Sequence, residues 1–259
     1  MPFSKRARDL APGIAFLVVV FAALEIVTRL ALVNAVIVPP PSAVVLTFLQ
    51  MFGQREVGVA LAQTLQTLFI GYAIGCALAI VVGILMGAFR AMYDLLEPIT
   101  EFLRPVPKPA LLPALMLFLG LGTTMKVTIV ALSVFFPVLI NAAQGARAVE
   151  PTMIAMAKTF GYNRIAVLWR VLLPATMPYI LAGMRISLGI GIVVVVLAEM
   201  LTSNGGVGGQ IADMQHQFYV KQTYAWVLLL ALLGLGLNWL FVVVERRLLF
   251  WHTPSLDAS

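Results

Sequence analysis

The sequence predicts an all-α protein that crosses a membrane six times, and three observations carry that prediction. Hydrophobic residues make up 61% of the 259 and charged residues only 11%, against roughly a quarter charged in a soluble domain. With a mean hydropathy of +1.01, the chain has too few charges to solvate a globule of its size. Apolar runs of about 20 residues, the length a helix needs to cross a bilayer, recur along its whole length. The Lys and Arg residues gather on alternate sides of those runs, as they do in polytopic membrane proteins. The chain therefore reads as a single transmembrane domain over 1–259.

The first span, 10–33, follows the basic start Lys5-Arg6-Ala7-Arg8 and carries Glu25 and Arg29 at a favourable i,i+4 spacing. No small-residue cleavage site follows the run and further spans come after it, so an uncleaved anchor is expected rather than a signal peptide. The second span is 61–89. The third, 93–120, is broken: Pro105-Val106-Pro107-Lys108-Pro109 separates a helix over 93–104 from another over 110–120. The fourth, fifth and sixth are 126–146, 175–201 and 224–248. With the N-terminus inside, twelve of the 17 Lys and Arg fall on the inner side, Arg104 and Lys108 among them. Four fall outside, and Arg185 lies within a span. Both termini and the loop 150–172 are then cytoplasmic.

That loop has its own pattern. Pro151 suits the first turn of a helix, where its missing N–H costs nothing. Ile154, Ala157, Lys158 and Phe160 follow a helical period, and Gly161 is a natural stop in the left-handed conformation. A second short helix is expected over 163–171, and Pro174 opens the next span. Without a partner, the same residues make a plain surface helix pair joining two spans.

The stretch Ala155-Met156-Ala157-Lys158-Thr159-Phe160-Gly161, followed after nine residues by Val171-Leu172-Leu173-Pro174, resembles the "EAA" loop of ABC-importer permeases. Gly161 and Leu173-Pro174 fall at that pattern's spacing and Val171 stands for its Ile, whereas Ala155 replaces its Glu and Met156 its middle Ala. Further elements in order are similar to the nitrate/sulfonate/taurine permeases. They include Pro40-Pro41-Ser42, Arg104-Pro105-Val106-Pro107 through Pro113, Gly120-Leu121-Gly122, Phe136-Pro137, Gly183-Met184-Arg185, Ala198-Glu199-Met200 and Glu245-Arg246-Arg247. The resemblance covers about 38–251. It implies the type I ABC-importer permease fold, with short cytoplasmic coupling helices, in a bacterial plasma (inner) membrane. It also implies a second copy of the chain, two ABC ATPase subunits and an extracytoplasmic substrate-binding protein. Coupling to the ATPase would rest on Ala155, Ala157, Lys158, Gly161, Leu173 and Pro174. The transported solute would be a sulfonate, taurine, nitrate or a similar small anion.

The residues agree with an engine outside the chain. No Lys follows a Gly, so there is no Gly-x-x-x-x-Gly-Lys-Ser/Thr phosphate loop. No catalytic set and no cofactor of its own are expected; ATP and Mg would be bound by the partner subunits. Cys76 is the only cysteine, and His216 and His252 stand apart from any second ligand, so no metal site is predicted. The scattered basic residues make no nucleic-acid face. An ion-gradient-driven secondary transporter is the alternative, but neither matching inverted halves nor a carboxylate relay is visible.

Three further features keep two readings each. Gly71/Gly75 and Gly83/Gly87 in the second span allow close helix approach, within the subunit or along a dimer seam. The run Asn204-Gly205-Gly206-Val207-Gly208-Gly209 reads as an outer gate or binding-protein contact, or as a connector. Arg185, eleven residues past Pro174 and so about 16 Å along its helix, either faces the translocation path or is satisfied structurally. Glu199, the acid near the outer end of that span, is assigned to the path with it. It lies fourteen residues further on, about 21 Å, too far to pair with Arg185.

Overall fold

The computed structural model describes residues 3–30, 32–34 and 37–250, with the side chains of 3–11, 14 and 17 left aside. His252 lies outside the described residues. Among those residues there are helices and no strands: α1 (Phe3–Arg29), α2 (Pro41–Met51), α3 (Arg55–Ala88), α4 (Arg90–Leu103), α5 (Leu112–Leu119), α6 (Thr123–Arg147), α7 (Pro151–Thr159), α8 (Arg164–Val167), α9 (Leu173–Thr202), α10 (Gly206–His216) and α11 (Val220–Leu248). Four helical rods are long and apolar enough to cross a membrane: α3, α6, the continuous Arg164–Thr202 and α11. The pair α4 and α5, bent by 82°, makes a fifth. The first expected span falls on α1, whose 27 residues reach about 40 Å.

Glycines on α3 set the central packing. Gly71 faces Val127 and Val130 of α6, Gly75 faces Ala131, Gly83 faces Leu139 and Ala142, and Gly87 faces Ala143 and Ala146. A Cβ on Gly75 would sit 2.6 Å from the Ala131 carbonyl oxygen, so only a residue without one permits this approach. These pairs therefore serve packing inside the chain, and the dimer-seam reading of the two Gly-x-x-x-Gly motifs falls. Position numbers rise together along both helices, so α3 and α6 run parallel. The chain between them, 89–122, must return across the bundle, and the bent pair makes that return.

Helix α9 runs the other way against α6: Gly145 of α6 meets Thr176 and Tyr179, Gly183 meets Pro137 and Asn141, and Gly191 meets Val130 and Val134. Between these three rods lies the core, where Leu68, Met125, Ile129, Val134, Val138 and Val195 are fully buried. Leu235 and Trp239 on α11 and Phe16 and Val19 on α1 remain exposed, as a lipid-facing surface requires. Glu25 ties α1 to α2. It pairs with Arg29 at 2.6 Å and accepts from the Ser42 amide at 3.0 Å and the Ser42 hydroxyl at 2.6 Å, placing a carboxylate at the start of α2.

The break between α4 and α5 has a chemical cause. Pro105, Pro107 and Pro109 remove three backbone N–H donors, leaving the last carbonyls of α4 without helical partners. Lys108 supplies the missing donors: its Nζ reaches the carbonyls of Leu103 at 2.6 Å, Arg104 at 3.2 Å and Val106 at 2.8 Å. The same ammonium lies 4.3 Å from the ring centroid of Phe136, midway along α6. Arg104 and Lys108 thus sit at mid-bundle depth, and their assignment to the inner surface is corrected. The sequence placed them by counting from a span end; the 82° bend carries them inward.

Candidate functional site: coupling loop, outer loop and groove

The loop expected over 150–172 is a helical hairpin, and its turn is a Schellman cap. Gly161, at φ +81°, donates its N–H to the Lys158 carbonyl at 2.9 Å, and Tyr162 donates to the Ala157 carbonyl at 3.1 Å. Asn163 then caps α8, its side chain accepting from the Ala166 amide at 2.8 Å. Of the residues expected to couple, Ala157 is buried, while Ala155, Lys158 and Gly161 are exposed and Leu173 and Pro174 are half-buried. Met153, Met156, Phe160, Ile165 and Trp169 are exposed beside them. Five large apolar side chains thus lie bare on this hairpin.

The expectation that Pro174 opens a new helix is corrected. Leu168–Leu172 forms a π-helical turn that joins α8 to α9, giving one rod over Arg164–Thr202 of 39 residues. A proline ring clashes with the carbonyl four residues earlier, here that of Arg170. The wider turn moves that carbonyl aside, so the helix continues through the proline.

At the other end of α9, the run 204–209 is an ordered helix start. Gly206–His216 is helical, and Gly206, Val207, Gly208 and Gly209 are buried. Glu199 is 1% exposed; its carboxylate accepts from Thr64 Oγ1 at 2.9–3.0 Å and from the Gly208 amide at 3.0 Å. Thr64 Oγ1 in turn accepts from the Val207 amide, and Gln63 Oε1 from the Gly206 amide, both at 2.8 Å. Lys126 donates to the Asn204 carbonyl at 2.6 Å. Glu199 is therefore enclosed at the N-terminus of α10 and reaches no open path in this conformation. Thr64, Gln63 and Lys126 escape sequence reasoning, because nothing along the chain marks contacts 78 to 143 residues away.

Arg185 points toward α11. Its Nη1 is 3.9 Å from Glu245, and its side chain is 48% exposed. A pair that open and that long is weak. It is also absent from a groove of about 610 Å³ lined by Arg104, Lys108, Ser133, Asn141, Gly189 and Val193, with further apolar side chains. The structure brings Arg104 and Lys108 together with α6 and α9, and leaves Arg185 outside. The run of alternate prolines around two cations was the sequence signal for this groove.

A bundle of apolar rods long enough to cross a membrane, with one span broken, defines a polytopic membrane protein. Residues 79–250 match the family described as Binding-protein-dependent transport system inner membrane component. The chain is 31% identical over 240 residues to SsuC of Bacillus subtilis (strain 168), described as an aliphatic sulfonates transport permease protein, covering 93% of this chain and 87% of that one. It is 31% identical over 137 residues to the taurine transport system permease protein TauC of Escherichia coli (strain K12), covering 53% and 50%. Its fold is similar to a chain of the MetNI methionine ABC transporter in inward-facing conformations, with TM-score 0.62, 17% identity, and 72% and 93% of the two chains covered. The chain belongs to the family of binding-protein-dependent inner membrane components of ABC importers, as its sequence resemblance indicated. It is a multi-pass membrane protein and the permease subunit of such an importer.

Proposed function

We propose that this permease works as a homodimer, driven by two ATPase subunits seated on the α7–α8 hairpin, and imports a small oxyanion handed over by a binding protein. The observation that carries the reading is the exposed apolar face of Met153, Met156, Phe160, Ile165 and Trp169, fixed to the 39-residue rod that ends at the outer loop. ATP and Mg act at the partner subunits. Their closure pulls the hairpin, tilts that rod and opens the dimer axis outward; hydrolysis restores the inward state.

The hairpin, the start of α1 and the end of α11 share one side of the bundle, and the bias of Lys and Arg, still ten to four without Arg104 and Lys108, supports a cytoplasmic placement of that side. A sulfonate such as taurine, or nitrate, fits the likeness to SsuC and TauC. The test is uptake by the reconstituted complex with its binding protein, with and without ATP, and with an uncoupler. Uptake that needs ATP and survives the uncoupler supports an ATP-driven importer. Uptake without ATP that the uncoupler abolishes would make it a secondary transporter.

A further inference from the structure

We propose that the groove at the α4–α5 break is an anion-selecting site within the translocation path, with Arg104 as its recognising cation and Lys108 as the residue that holds the break open. This deepens the importer reading and rests on it. Irregular backbone at membrane depth persists only where it is buried in protein or lines a wet cavity, and a charge there requires a partner or a function. The two cations have different standing. All three protons of Lys108 Nζ are directed at carbonyls of Leu103, Arg104 and Val106, so its charge is committed to the helix end.

Arg104 is not committed in this way. Its one ion pair among the described residues is to Glu101, at 3.5 Å, and both side chains are more than half exposed, a geometry that binds weakly. The groove of about 610 Å³ holds both cations and no carboxylate among its lining residues. Glu97 and Glu101 line a smaller neighbouring cavity, and Arg104 stands on the wall common to both. Apart from Ser133 and Asn141, the walls, among them Val106, Phe136, Ile186, Ile190 and Val193, are apolar, which strengthens the field of a cation only weakly paired with Glu101. A planar guanidinium over such walls recognises nitrate, sulfonate or carboxylate oxygens two at a time.

Gly189 lines the groove, and a Cβ there would meet nothing within 4 Å, so Gly189→Cys installs a reporter thiol. In the complete transporter in proteoliposomes, its modification is timed with anionic 2-sulfonatoethyl methanethiosulfonate and with cationic 2-trimethylammonioethyl methanethiosulfonate. Each rate is normalised to free cysteine, and buried Cys76 provides the background. The anionic reagent is expected to be favoured about tenfold. Arg104→Gln should lower that preference about three- to tenfold, Arg104→Lys should retain part of it, and Glu101→Gln should raise it, as expected for charges within a few ångströms of a partly wet site.

An anion preference unchanged by Arg104→Gln overturns the proposal. So does a reporter that neither reagent reaches, which would mean that the second copy seals the groove. Should Arg104→Gln reduce the yield of complex below measurement, Glu101→Gln decides: a raised preference supports the site and an unchanged one overturns it. ATP-driven uptake is measured in the same vesicles. Uptake without anion preference sinks the site alone, whereas anion preference without ATP-driven uptake sinks the importer reading alone.

Discussion

Replacing Glu199 by Gln should loosen the outer loop without changing its shape. The carboxylate receives two donors, the Thr64 hydroxyl and the Gly208 amide, inside an environment 1% exposed. Bonds to a charged acceptor contribute about 1.5–3 kcal/mol each, and an orphaned buried donor costs about 1–3 kcal/mol. A glutamine keeps one acceptor oxygen at neutral strength and turns its NH2 toward the other donor. The net loss is about 2–4 kcal/mol, so the start of α10 should open about 30- to 1000-fold more often, at 1.4 kcal/mol per factor of ten. Val207 is fully buried beside Thr64, so Val207→Cys reports that opening through its rate of thiol labelling in the purified complex. Glu199→Gln in that background should speed labelling by this factor, and Thr64→Val, which removes the relay between Glu199 and the Val207 amide, should act in the same direction. Labelling rates within twofold of the parent would show that the carboxylate does not hold the loop, and the argument from its two donors would be wrong.

Gly161→Val should cost about 1–3 kcal/mol locally through its left-handed backbone, because φ is +81° and no neighbour crowds the new side chain. Substrate-stimulated ATP hydrolysis should fall while the permease still inserts and dimerises; normal stimulation refutes the docking role. Cysteines placed at Thr159 or Asn163 should react with impermeant reagents only from the cytoplasm, and those at Asn204 or Gln222 only from outside. External labelling at Asn163 in intact cells would sink the topology. Gly75→Val forces backbone apart, since its Cβ site is 2.6 Å from the Ala131 oxygen; a loss of about 1–3 kcal/mol should appear as a reduced melting temperature of the extracted protein. Arg185→Gln should leave complex yield nearly unchanged, because an exposed pair at 3.9 Å contributes less than about 1 kcal/mol; a large fall in yield would make Arg185 structural.

What the sequence disclosed was what is local. Apolar runs located α3, α6, α9 and α11 within a few residues, and the spacing of Pro151, Gly161 and Pro174 outlined the hairpin, because caps and turns are decided by neighbours in the chain. The Glu25–Arg29 pair was legible for the same reason. The 82° bend was not, since three prolines announce a break but give no direction for the chain leaving it. Continuity through Pro174 was hidden because a π turn has no sequence signature that separates it from a helix start. Glu199 was assigned to a path on its depth in the span. Its true surroundings, Thr64 and Gly208, depend on how α3 and α10 pack, and no periodicity along α9 encodes that.

The unbroken helix from Arg164 to Thr202 has a mechanical consequence. Its tight crossing with α6 at Gly183 lies nineteen residues from either end, so both arms measure about 29 Å. Pivoted there, a tilt of about 5° carries the hairpin end about 2.5 Å one way and the outer end an equal distance the other. On the proposed mechanism the two ends of the rod are then geared one to one, with travel at the far end set by stroke length at the hairpin. The π turn and Pro178 are the places where the linkage can give.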